Sequence, residues 1–66
     1  MNQNELTTAD RAIIRRHVKA RLGVVRVRIC WDGNVEAYGI IPNSNKVGWW
    51  FAGYDIDVLR EATVQI

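Results

Sequence analysis

The sequence predicts a small single α+β domain in the order α-β-β-β-α: a helix, a three-stranded antiparallel meander and a second, short helix, with helix 1 packed on one face of the sheet. Three observations predict it. Residues 9–23, ADRAIIRRHVKARLG, space their apolar side chains at helical intervals. Residues 24–31, VVRVRICW, alternate strictly, as a strand with one buried face does. Polar turn signals, DGN at 32–34 and NSN at 43–45, then divide the remaining apolar segments before a short helix-like stretch, DIDVLREA.

Helix 1 is expected over 8–22. Thr7 or Thr8 can serve as N-cap, its hydroxyl accepting from a free amide two or three residues on. Asp10 falls in the first turn and Arg21 in the last, as the helix dipole favours, and Gly23 is a natural left-handed terminator. Ile14, Val18 and Leu22 form one row with Ile13 and His17 beside it, while Arg15, Arg16 and Lys19 cover the opposite arc. Arg11 and Arg21 border the row, where their stems can lie on apolar surface.

In strand 1, Val25, Val27, Ile29 and Trp31 share one face and Val24, Arg26, Arg28 and Cys30 the other. Strand 2 is VEAYGII, ended by Pro42. A two-residue Asp32-Gly33 loop would pair Ile29 with Glu36 and set an acid among the valines. A three-residue loop, Asp32-Gly33-Asn34, pairs Trp31 with Val35, Ile29 with Ala37, Val27 with Gly39 and Val25 with Ile41, leaving one face wholly apolar. A one-residue slip exchanges the faces, so burial selects the three-residue loop, with Asn34 in the left-handed position.

Strand 3 is KVGWWFAGY, residues 46–54. Val47, Trp49, Phe51 and Gly53 share one face, and Gly48, Trp50, Ala52 and Tyr54 the other. The first set is the more apolar and is expected inward, with Val35, Ala37 and Ile41, beneath helix 1. Trp49→Ala should therefore be the costlier of the two tryptophan truncations. Helix 2 follows, about seven residues long, with Asp55 or Asp57 as its cap and Ile56, Leu59 and Ala62 at helical spacing. Residues 1–6 are expected as a flexible N-terminus and 63–66 as a tail or a short edge strand.

At 66 residues with one Cys and one His, neither an internal disulfide nor a four-ligand zinc site can brace the chain, and no metal or cofactor is expected. Self-association is the remaining common aid for a domain this small. The polar start and the short apolar runs predict neither a secretion signal nor a membrane span, and a lone thiol fits a cytoplasmic setting. The charge of +2 is unevenly spread: Arg11, Arg15, Arg16, Lys19, Arg21, Arg26 and Arg28 stand with no acid between them, and Asp and Glu concentrate later.

The uncovered sheet face is expected to present Arg26, Arg28, Tyr38, Ile40, Trp50 and Tyr54. Tryptophan, tyrosine and arginine together are the residues of protein interface hot spots, so the first reading is a non-enzymatic binding module that contacts a protein partner or a second copy of itself. The alternative is nucleic-acid binding, with Arg15, Arg16, Lys19, Arg26 and Arg28 on phosphates and aromatic rings on bases. The element order resembles double-stranded RNA-binding domains in topology alone. Those domains track phosphates with a basic start to their second helix, where this chain has Asp55-Ile56-Asp57. No catalysis is expected. His17 reads as a helix-to-sheet boundary residue with no nucleophile near it in sequence, Cys30 as a half-buried thiol, and the Asp55/Asp57 pair as dipole-favoured acids.

Overall fold

A computed structural model describes residues 6–64 and confirms the order α-β-β-β-α. Helix α1 runs Thr8–Leu22. Thr7 is its N-cap: the threonine hydroxyl accepts from the Asp10 amide at 3.0 Å and the Asp10 carboxylate accepts from the Thr7 amide at 3.1 Å. Both exchange partners of a capping box are thus present, with Asp in the usual Glu place. Gly23 ends the helix at φ +70°. Ile14 and Val18 are buried, and Leu22 packs against the core they form with Val35, Ala37 and Val58. Leu6, placed by the sequence in a flexible N-terminus, is buried in the same core, because the cap at Thr7 turns the residue before it inward. Residues 1–5 lie outside the described residues.

Strands β1 (Arg26–Ile29), β2 (Asn34–Ile40) and β3 (Val47–Tyr54) form the antiparallel sheet in the order β1-β2-β3. The first loop has three residues, as expected, but they are Trp31-Asp32-Gly33. Cys30 donates to the Asn34 carbonyl at 2.7 Å and Gly33 donates to the Cys30 carbonyl at 3.0 Å, which closes a turn followed by a left-handed residue. Gly33 fills that last position at φ +96°. Glycine does so without a Cβ penalty, whereas the predicted loop had given the position to Asn34. Ile29 therefore pairs with Val35 and Val27 with Ala37. This register differs from the expected one by an even step, so each strand keeps its faces. Two residues are lost from the predicted inner face: Trp31 becomes a loop residue 98% exposed, and Val25 precedes the strand at 80% exposed.

The phase of β3 is also corrected. Ala37 pairs with Trp50, Tyr38 with Trp49 and Gly39 with Gly48, so Trp50 lies on the helix-covered face and Trp49 on the other. The covered pleat around Trp50 is made of small residues: Ala37, Gly39, Gly48 and Ala52. A Cβ on Gly39 would stand 3.6 Å from the Trp50 ring and 3.3 Å from a Val24 methyl. Among the described residues Trp50 packs there as the one aromatic ring against the core, while Val47, Trp49 and Phe51 lie on the other face. Pairing then steps from Glu36 opposite Phe51 to Val35 opposite Gly53, leaving Ala52 as the extra residue of a β-bulge. Gly53 takes φ +134° there. The bulge returns Tyr54 to the face of Trp49 and Phe51.

Helix α2 spans Asp55–Thr63, longer than the stretch expected. Neither Asp55 nor Asp57 caps it. Tyr54 is the N-cap without a side-chain bond, and the Asp55 amide instead donates to the Gly33 carbonyl at 2.8 Å, tying the helix start to the first hairpin loop. Val58 is its buried residue, with Ile56 and Leu59 packed alongside. Thr63 ends the helix; Val64 follows, and residues 65–66 lie outside the described residues. The two helices are joined by charge. Glu61 accepts from His17 Nε2 at 3.0 Å and from Arg21 Nη1 at 2.8 Å. His17 is thus a helix-to-helix contact, because α2 occupies the flank that the sequence reading assigned to the sheet.

Two predictions follow from this packing. Trp50→Ala should cost about 2–4 kcal/mol, the range for a large aromatic that is only partly buried, and Trp31→Ala less than about 0.5 kcal/mol, as for a free surface residue. Equal losses in urea unfolding would contradict the placement. Glu61 has its pKa held below 4.5, first by the His17 hydrogen bond and also by Arg21, against an opposing desolvation. The stability this gives is present above the ordinary carboxyl value and is lost as pH falls through the lower folded one. Wild type should exceed Glu61→Gln in stability at neutral pH, with the gap closing below pH 4.5. A gap independent of pH would remove the pair from the account.

Candidate functional site

The sheet face turned away from the helices is assembled from all three strands. β1 contributes Arg26 and Arg28, β2 Glu36, Tyr38 and Ile40, and β3 Val47, Trp49, Phe51 and Tyr54. Ile40, Val47, Phe51 and Tyr54 are each more than half exposed. At the centre lies Trp49. The Arg28 guanidinium carbon sits 4.1 Å from its ring centroid, and the Tyr38 ring meets it tilted at 5.2 Å. Arg26 lies 5.6 Å over Tyr38. Phe51 and Tyr54 form an edge-to-face pair at 5.1 Å. These are the geometries in which aromatic faces and edges, or rings and cations, attract.

Charge on this face is largely satisfied from within. Arg28 pairs directly across the strands with Glu36, Nε donating to Oε1 at 2.7 Å and Nη2 at 2.6 Å. The guanidinium is thereby flattened onto Trp49 and its charge met by a half-buried carboxylate. The face is therefore mainly an apolar and aromatic surface with two arginines at one side, each lying over a ring.

Of the six residues expected here, Arg26, Arg28, Tyr38, Ile40 and Tyr54 are on the face. Trp50 is not: its place is taken by Trp49, with Val47 and Phe51 beside it. The signal that could have found this is the set of small residues (Ala37, Gly39, Gly48, Ala52) on the Trp50 side of β2 and β3, among which that ring packs against the core. Glu36 meets Arg28 because Ile29 pairs with Val35; the expected pairing of Trp31 with Val35 would instead set Cys30 opposite it.

The basic set of the alternative reading is divided. Arg16 and Lys19 are exposed and Arg15 half-buried on α1, which packs on the face of Val27 and Ile29. Arg26 and Arg28 project from the opposite face of the same strand. The sheet thus stands between the two groups, and Glu36 lies beside the second. The stretch that is free of acids in sequence is not free of them in space.

Elsewhere, β1 begins at Arg26 opposite Tyr38, so Gly39 and Ile40 extend beyond it. An open groove there is walled by Leu22, Val24, Val25, Gly39, Ile40 and Trp50. Its lining is mostly apolar and includes the Tyr38 phenol, with no carboxylate, imidazole or thiol on it. Cys30 is a half-buried free thiol. Among the described residues no group of His, Cys, Asp and Glu could hold a metal ion, and no helix is long and apolar enough to cross a membrane. Comparison of the chain with models of protein families, with curated proteins and with solved structures finds no match in any of the three.

Proposed function

We propose that this protein is a non-catalytic binding module that engages a protein surface, another chain or a second copy of itself, through the open sheet face. One observation carries the reading: four large apolar side chains, Ile40, Val47, Phe51 and Tyr54, stand more than half exposed around a tryptophan held in place by Arg28 and Tyr38. Exposed apolar surface of this extent on a small domain marks a contact surface. Trp, Tyr and Arg at its centre are the hot-spot residues of protein interfaces. Because the rings are already ordered against one another, less side-chain entropy is lost when a partner covers them.

The internal Arg28–Glu36 pair favours a protein over a nucleic acid, since a guanidinium already met by a carboxylate has less to gain from phosphate. A cytoplasmic setting, in which Cys30 stays a thiol, belongs to the same proposal.

The test is site-specific photo-crosslinking in the source cell from benzoylphenylalanine placed at Ile40 or, as control, at Arg16 on the outer side of α1. Protein adducts should form from position 40 and not from position 16. Adducts to nucleic acid from position 40, or equal protein adducts from both positions, would overturn the reading. In parallel, titration with mixed single- and double-stranded oligonucleotides at low salt should leave tryptophan fluorescence unchanged.

A further inference from the structure

The sheet has two edges, and they differ. β1, at one edge, is four residues long and carries Arg26 and Arg28. Short length and like charge are the usual means by which an edge is kept from pairing with another chain. β3, at the other edge, is eight residues long, Val47–Tyr54, with no charged residue and no proline. Among the described residues no strand pairs with its outer side. Its bulge at Ala52 interrupts only the last part, leaving Val47–Phe51 regular.

The charges that bound β3 have opposite sign at its two ends. Lys46 precedes it, and Asp55 and Asp57 follow in the first turn of α2. The Lys46 ammonium has no acidic partner among the described residues, and Asp57 makes only a distant pair with Arg60 at 4.0 Å. In antiparallel pairing, the start of one strand lies opposite the end of the other. A strand that is positive at its start and negative at its end is therefore complementary to an antiparallel copy of itself.

We propose that two copies of this chain join through the outer edges of β3, antiparallel about a two-fold axis, to make one six-stranded sheet. The proposal rests on the reading of the open face only in that it doubles that face. Side chains directly opposite each other share a face, so the axis must pass through a residue rather than between two. With the axis at Trp50, Trp49 stands opposite Phe51 of the second copy, and this aromatic pair occurs twice on the open face. Because Ala52 is the extra residue of the bulge, Val47 then falls opposite Tyr54 of the second copy on the open face, and Lys46 falls opposite Asp55, with Asp57 in the same first turn of α2. Aromatic cross-strand pairs and opposite charges at both ends are the contacts that stabilise and register such a ladder. The two aromatic faces then form one continuous surface.

Sedimentation of the full chain over a concentration series, with a charge-swap cycle, tests this. Wild type should show a monomer–dimer equilibrium. Lys46→Asp sets like charges at both ends of the junction, and Asp57→Lys leaves Lys46 facing one acid and one base; each should raise the dimer dissociation constant, the first by about threefold or more, from two symmetric surface contacts. The double variant should return it toward wild type. A monomer at every concentration would overturn the proposal. So would a dimer insensitive to all three variants. Ile40→Ser, on the central strand, separates the two readings. A dimer that ignores the charge swap and is broken by Ile40→Ser packs face to face, which overturns the edge junction and leaves the open-face reading standing. Loss of crosslinking from position 40 with an intact, swap-sensitive dimer fails the face alone.

Discussion

Among the described residues of this chain, Trp50 is the one aromatic ring that packs against the core beneath the helices. The covered pleat is otherwise built from Val27, Ile29, Val35 and a set of small residues, Ala37, Gly39, Gly48 and Ala52, with the Trp50 ring lying beside Gly39 and Val24. A strand alternates its side chains without exception outside a bulge. Seating Trp50 inward thus forces Val47, Trp49 and Phe51 outward together. The surface on which the functional reading rests follows from which ring packs against the core.

Two glycines with positive φ turn this constraint into a particular face. Gly33, at +96°, fixes the first loop as Trp31-Asp32-Gly33 and so places Glu36 opposite Arg28 and Tyr38 opposite Arg26. Gly53, at +134°, accommodates the bulge that turns Tyr54 back beside Phe51. The Gly33 carbonyl also receives the Asp55 amide, so the loop that sets the register of β1 anchors the start of α2 as well. Arg28 in this register meets both a carboxylate and an indole. It functions more as a brace for Trp49 than as a free cation, which moves the chemistry of the face away from phosphate and toward apolar contact.

How much of this was legible in the sequence depends on whether local or volumetric information decides. Helix α1 was legible at both ends, since Thr7, Asp10 and Gly23 act within a few residues of themselves. Arg26, Arg28, Tyr38 and Ile40 were legible as outward-facing even though the register was not, because an even shift preserves faces. The choice between Asn34 and Gly33 for the left-handed position was a local preference that the apolar pattern outweighed in the reading and did not outweigh in the chain. The phase of β3 was not legible from alternation, as a WW pair offers one large ring to each side. Tyr54 reached the expected face by a route the sequence reading did not contain, the bulge. Leu6 and the His17–Glu61 contact depend on where α2 packs, which no local pattern encodes.

The most direct measurement is a nuclear Overhauser spectrum of the protein with its three indoles assigned. The account predicts that the Trp50 ring shows cross-peaks to the Gly39 α-protons and the Val24 methyls, that the Trp49 ring shows them to the Tyr38 ring, and that the Trp31 ring shows no long-range cross-peak. Contacts of Trp49 with Val24 and Gly39, and of Trp50 with Tyr38, would contradict it, and the aromatic face would then have to be reassigned.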